Sequence, residues 1–246
     1  MHDDRSERMN VLDLFSGIGG FSLGLERAGM RTVQFVESDA YCRAVLAKHW
    51  PSVPCHEDVR TFRAGLGFAD VICGGFPCQD ISDAGPRIGI DGERSGLWSS
   101  FARLIGDVRP AFVIVENVAA LLQRGMERVI GDLARIGYDA EWSVISACSV
   151  GAPHVRRRVF IVAYPNSLHG RKRLWYIAPR EVKALQALDR EAGPRAGWRA
   201  RMENPSELYG GSDGLPNRLD RNRVIGNAVV PQIAEEIGKA IMRAAA

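Results

Sequence analysis

The sequence has no apolar run near the roughly 20 residues that a bilayer-spanning helix needs, and its start, "MHDDRSERMN", is too polar for a secretory leader. A membrane protein is excluded on this reading, and a cytoplasmic one is expected. The five cysteines (Cys42, Cys55, Cys73, Cys78 and Cys148) are scattered, with no CxxC pair and no histidine at metal-ligand spacing. That pattern excludes a disulfide scaffold and a zinc site, so no metal is expected and any special cysteine is more plausibly chemical than structural. Internal repeats and low-complexity tails are lacking too.

What is present is an ordinary globular composition of 246 residues, 46% hydrophobic and 25% charged, enough for one full core plus a small second unit. The net charge of +3 hides an asymmetry. Between Gly151 and Arg223 stand 15 Lys and Arg against 7 Asp and Glu. Arginine dominates there, interleaved with Trp175, Tyr176 and Trp198, a mixture suited to a polyanion with stackable bases, although a solvated basic face has the same composition.

Short apolar runs ("NVLDLF", "TVQFVE", "ADVICGG", "AFVIVEN") alternate with segments whose apolar residues recur at helical spacing ("GGFSLGLERAG", "AYCRAVLAKHW", "GLWSSFARLIGDV"). This βαβα rhythm predicts an α/β fold with an open, mainly parallel sheet. One helix is expected over "ALLQRGMERVIGDLARIG". The strands "EWSVISACSV" and "RVFIVAY", with no helix between them, predict an antiparallel hairpin at the sheet edge. The pattern degrades after Tyr164. The expected organisation is a catalytic domain over 1–164, a small irregular subdomain over 165–222 containing the helical stretch "PREVKALQALDREAG", and a segment over 223–246 that returns to the main domain through an amphipathic helix.

The turn "DLFSGIGGF" joins the first strand to the first helix, and Gly17, Gly19 and Gly20 let backbone amides approach a ligand at the helix N-terminus. Its G-x-G-G spacing is not that of the dinucleotide binders, which disfavours a nicotinamide oxidoreductase. Glu37 ends the second strand, where a carboxylate suits ribose hydroxyls, and Asp58 follows a third, where it suits an adenine amino group. Each alone reads equally as a cap or a surface charge; together they outline an adenosine-containing ligand.

The ordered set "DLFSGIGGF", "VES", "EDV", "GGFPCQDIS", "VENV", "RRRVFIV" and "GNAVVPQ" resembles the signature series of the cytosine-C5 DNA methyltransferases, continuously from Val11 to Ala163 and again from Arg223 onward. The resemblance implies the S-adenosylmethionine-dependent methyltransferase (Rossmann-like) fold, S-adenosylmethionine as methyl donor and double-stranded DNA as substrate. It implies that Cys78 is the nucleophile that adds to cytosine C6, that Glu116 acts on N3 and the exocyclic amine, and that Arg156 and Arg158 hold the flipped nucleotide and its charge. Asp13, Phe15, Ser16, Gly17, Ile18, Gly19, Gly20, Glu37, Ser38, Asp58, Val59, Pro77, Asn227 and Val229 are then cofactor residues, with Phe15 stacking on adenine. Gln79, Ser82, Asn117 and Val118 are assigned to the target base. His154 stands where the family carries Gln, and no residue identifies itself as the base that removes the C5 proton.

The family normally inserts a sizeable recognition domain where this chain has only a small subdomain. "IAPREVKALQAL" resembles the family's ninth motif but lacks its leading arginine and Thr; if the match holds, recognition falls to "GWRARMENPSELYGGSDGLPNR" or to a partner, and if not, as the departure favours, all of Pro165 to Asn222 is the DNA reader, suited to a target of about four base pairs. The tail resembles those of compact phage and prophage methyltransferases, which implies a monomer acting with a restriction endonuclease or without one. Two other readings stay open: an RNA (tRNA) cytosine methyltransferase, a branch that shows Thr where this chain has Gln79, and a catalytically silent DNA-binding relative.

Overall fold

A computed structural model describes residues 8–77, 97–150, 156–168 and 227–245. Its centre is a sheet of seven strands in the order β3-β2-β1-β4-β5-β7-β6, formed by β1 (Asn10–Leu14), β2 (Arg31–Val36), β3 (Cys55–His56), β4 (Val71–Gly75), β5 (Phe112–Val118), β6 (Tyr138–Ser146) and β7 (Arg157–Pro165). The first five run parallel, and β7 pairs antiparallel with both β5 and β6. The expected mainly parallel sheet and the edge hairpin are both present.

Side chains alternate between the two faces, as the period of two in a strand dictates. On one face Leu12, Leu14, Ile72, Val113, Val115 and Ile161 pack against α3 (Leu97–Val108) and α5 (Met126–Arg135). In α3 the buried side chains Trp98, Phe101, Leu104, Ile105 and Val108 form one stripe at helical spacing. On the other face Val11, Val71, Ile114, Phe160 and Val162 meet α1 (Gly20–Arg27) and α6 (Pro231–Ala245). The remaining helix of the N-terminal half, α2 (Ala40–His49), is capped by Asp39, whose carboxylate accepts from the Cys42 amide at 3.0 Å.

The closing helix begins with Pro231, whose missing N–H costs nothing at a first helical position. It lies very close to α1. A Cβ on Gly24 would stand 2.2 Å from the Pro231 carbonyl oxygen, and one on Gly238 would stand 2.7 Å from Ala28 Cβ. The glycines permit this approach of backbones.

One expected helix divides into two, α4 (Leu121–Arg124) and α5, because Gly125 between them leaves helical geometry at φ 166, ψ −5. The run "ISACSV" ends its strand at Ser146 and continues as a single 3-10 turn over Ala147–Val150, where the Ser149 hydroxyl donates to the Ser146 carbonyl at 2.6 Å. The stretch "PREVKALQALDREAG" and nearly all of 165–222 lie outside the described residues.

Candidate active site

The chain leaves β1 in one direction to build β2 and β3 and later returns on the opposite side as β4 and β5. Between the carboxyl ends of β1 and β4 the sheet therefore has a switch point, the place where open α/β sheets leave a crevice. A cleft of about 600 Å³ opens there. One end is lined by Phe15, Ser16, Gly17, Glu37 and Ser38, and the other by Pro77, Glu116, Asn117, Val118, Arg156 and Arg158. Asn227, Ala228 and Val229 form part of the wall. Most of the site residues expected from the sequence thus meet in one cavity.

The first end is built by the turn after β1. Phe15 and Gly17 hold positive φ angles of 53° and 54°, and Gly19, the N-cap of α1, one of 85°. Glu37 clamps this turn: its Oε2 accepts from the Gly17 amide at 2.7 Å, while its Oε1 accepts from the Asp39 amide, also at 2.7 Å. Each carboxylate oxygen keeps further acceptor capacity. Ser16 adds a second tie, its hydroxyl donating to the Asp13 carbonyl at 2.7 Å. Gly20 is required by a close approach, since a Cβ there would stand 2.4 Å from the Val229 carbonyl oxygen.

Asp13 lies beneath the turn rather than in the cleft. It is fully buried, accepts from the Ser22 hydroxyl at 2.7 Å, and its Oδ1 has no hydrogen-bond partner. Burial pushes its carboxyl up to about 7 against the pull of the Ser22 hydrogen bond. Ile18, Gly19 and Gly20 likewise shape the turn without lining the cleft. Asp58 too is absent from the lining, and Arg60, two residues along, holds its carboxylate through Nε at 3.0 Å and Nη2 at 2.9 Å. The guanidinium also holds that carboxyl below its usual range. Val59 beside it is buried in the core.

At the other end Glu116, only 7% exposed, sits where β5 faces Gly75 of β4 in register. A Cβ at Gly75 would stand 2.6 Å from Glu116 Oε2, so a side chain there would make this carboxyl shift. Arg158 Nε approaches Oε1 to 3.0 Å, yet off the line of a directed hydrogen bond, so Oε1 is paired in charge but open as an acceptor. Burial pushes the Glu116 carboxyl up, and the charges of Arg158 and Arg156 offset part of the rise. Arg156 donates through Nη2 to the Asn227 carbonyl at 2.9 Å, which ties the hairpin to the returning C-terminal segment. Asn117 is 2% exposed and both ends of its amide engage backbone, Nδ2 donating to the Phe76 carbonyl at 3.1 Å and Oδ1 accepting from the Val118 amide at 2.8 Å.

Cys78, Gln79, Ser82 and His154 lie outside the described residues, but Phe76 and Pro77, immediately before Cys78, line the cleft. Lining residues not picked out from the sequence are Phe21, Asp39, Cys42, Gly75, Phe76 and Ala228. An Asp just before a helical run is a cap signal that could have found Asp39; the others are placed by α1, α2, the sheet register and the segment that leads into α6, which no local pattern reports. No group of metal-ligating side chains occurs among the described residues, and no described helix is long and apolar enough to cross a membrane.

The chain was compared with known proteins. A family model described as C-5 cytosine-specific DNA methylase matches residues 9–204. The type II methyltransferase M2.BsuMI of Bacillus subtilis (strain 168) is 39% identical over 163 residues, 63% of this chain and 42% of that protein. M.Eco47II of Escherichia coli is 36% identical over 166 residues, 64% of this chain and 40% of its own length. The chain thus spans less than half the length of these relatives. Among solved structures, a putative DNA modification methyltransferase encoded within an E. coli prophage superposes with a TM-score of 0.64 at 21% identity, covering 96% of this chain and 99% of that one. The S. pombe Dnmt2 methyltransferase gives a TM-score of 0.54 at 22% identity, covering 65% and 51%. At these identities the two structures share the fold.

Proposed function

Since the chain belongs to the C-5 cytosine-specific DNA methylase family, we propose that it methylates C5 of cytosine in double-stranded DNA, with S-adenosylmethionine as donor. The observation that carries this reading is the single cleft in which a glycine turn clamped by Glu37 faces a buried Glu116 flanked by two arginines. The turn end fits the adenosyl group and its amino-acid tail. Phe15 offers an aromatic face and Glu37 open lone pairs, while the Ser16, Gly17 and Gly19 amides are spent on holding the turn itself. S-adenosylmethionine supplies the methyl group that C5 receives.

The chain's own residues make C5 reactive. The target base leaves the stack, because C5 and C6 are shielded within a duplex. The Cys78 thiolate bonds to C6 and the displaced electron pair reaches C5 through the ring. Glu116 holds a proton toward N3, which draws electrons from C6 and assists that attack. Its buried setting favours the protonated carboxyl that this role needs. Arg158 and Arg156 offset the negative charge that develops on the ring. After C5 takes the methyl it gives its proton to water, the C5–C6 double bond re-forms and the C6–S bond breaks, which returns the thiolate. Asn227 and Val229 complete the cofactor wall, Gln79, Ser82 and Val118 border the base, and residues 165–222 read the DNA as a small domain of a monomeric, cytoplasmic enzyme.

The test is incubation with tritiated S-adenosylmethionine and mixed-sequence duplex DNA, beside tRNA and beside Cys78→Ala. Label in 5-methylcytosine of the duplex, absent from the variant, supports the reading. Label in tRNA alone assigns the RNA reaction, and label in neither rejects methyl transfer by this chain.

A further inference from the structure

The structure assigns Asn117 a duty other than touching the target base: we propose that it is the positioning residue of the nucleophile, acting through the Phe76 carbonyl. The inference rests on the methyl-transfer reading above.

The ladder between β4 and β5 ends at the pair Gly75 and Glu116. Phe76 and Asn117 are the next residue on each strand. Beyond the last pair, the Asn117 side chain takes over the ladder's work, its Nδ2 donating to the Phe76 carbonyl at 3.1 Å. Its other end is fixed as well, because Oδ1 accepts from the Val118 amide at 2.8 Å. A side-chain amide held at both ends and only 2% exposed has one rotamer, and so transmits position rather than following it.

Phe76 is held from its side chain too. Its ring stacks obliquely on Trp98 with centroids 5.5 Å apart, and the Trp98 indole donates to Asp132 Oδ2 at 3.0 Å. Carbonyl and ring together set the direction in which the chain leaves β4, two residues before Cys78 in sequence. Glu116 precedes Asn117 on β5, so one stretch of strand carries both the carboxyl and the amide that holds the end of β4. A misplacement of about 1 Å in such an arrangement costs on the order of 100-fold in rate.

The experiment uses duplex DNA tritiated at cytosine C5, with no methyl donor. Thiolate addition at C6 places an electron pair on C5, which takes a proton from water; loss of the original C5 hydrogen and expulsion of the thiolate then release tritium. Release therefore requires attack by Cys78 but not methyl transfer. Asn117→Asp keeps the size and the acceptor for Val118 but loses the donor to Phe76, and Asn117→Ala loses both. Both variants are expected to release tritium and to transfer methyl about 10- to 100-fold more slowly than the parent at saturating DNA, with KM for DNA and Kd for S-adenosylmethionine within about twofold.

Tritium release at the parent rate in Asn117→Asp overturns the proposal. So does a raised KM for DNA with unchanged release at saturation, which makes Asn117 a substrate contact. Loss of the folding transition in both variants overturns it in favour of a purely structural role. A parent chain inert toward DNA in both assays rejects the methyl-transfer reading, and this inference falls with it.

Discussion

The guanidinium of Arg158 reaches along β7 from its register partner Val118 and stands 3.0 Å from Oε1 of Glu116. A carboxyl that is almost wholly buried thus has its compensating charge on the neighbouring strand. Removing that charge leaves the carboxyl in an apolar setting. Arg158→Met is expected to raise the Glu116 carboxyl further and to lower stability by about 2 kcal/mol, less than a fully buried pair because Arg158 keeps some solvent contact. Chemical denaturation checks the stability.

Glu116→Gln keeps the shape and removes the titrating proton. The expected loss in kcat is about 100-fold or more, the usual contribution of a positioned acid. The pH profile gives the sign. The carboxyl is pushed above its ordinary value, so its protonated form persists to higher pH, and the rate limb that depends on it falls as pH rises through the folded-state value. In Glu116→Gln that limb is expected to disappear. Single-turnover rates across pH measure both.

Asp13 should leave a mark on stability rather than on chemistry. Its folded-state value of about 7 lies above the ordinary 3.8, so the folded state holds the proton more tightly than the unfolded chain does. Its contribution is fully present below the unfolded value and is lost as pH rises toward 7. Asp13→Asn does not titrate. Relative to that variant the parent is expected to lose on the order of 2 to 3 kcal/mol between pH 5 and pH 8, read from urea unfolding at the two pH values.

Glu37→Ala removes the acceptor for two backbone amides at once and frees the Gly17 turn. Affinity for S-adenosylmethionine is expected to fall about 10- to 100-fold, because two half-buried donors lose their partner and the turn is no longer preorganised. Glu37→Gln, which keeps one acceptor oxygen, should fall between the two. Calorimetric titration distinguishes them.

Gly20→Ala places a methyl 2.4 Å from the Val229 carbonyl oxygen, against backbone that cannot swing aside. Stability is expected to drop by about 1 to 3 kcal/mol, as overpacking does, and cofactor affinity to fall with it. Gly131→Ala, where nothing lies within 4 Å of the new methyl, is the control and should be stable or slightly stabilised. Thermal melts of the two variants provide the comparison.

The central strands were legible because each is a short apolar run, and burial on both faces needs little else. Glu37 was legible as a carboxylate ending a strand, whereas Glu116 and Arg158 were legible only through the resemblance of their motifs to the family series. Other features depend on three dimensions. Gly125 breaks a helical pattern that apolar periodicity carries straight across, since one glycine in a helix costs only about 1 kcal/mol. The pairing of Arg60 with Asp58 depends on a local turn that the spacing of the two does not announce. The steric demand at Gly75 belongs to its register with Glu116, 41 residues away, and no local pattern contains it.

The contact between α1 and α6 also bears on how the molecule comes into being. The apolar side of α1, with Phe21 and Leu25, is covered by Ile233, Ile237 and Ile241 of the closing helix. About 200 residues of synthesis separate the two, which at cellular rates is roughly 10 to 40 seconds. Through that interval the first helix leaves the ribosome with its future partner still unmade and a greasy flank in water. Closing so long a loop is also slow once the chain is complete. The turn that precedes α1 is therefore among the last parts of the cleft to become rigid.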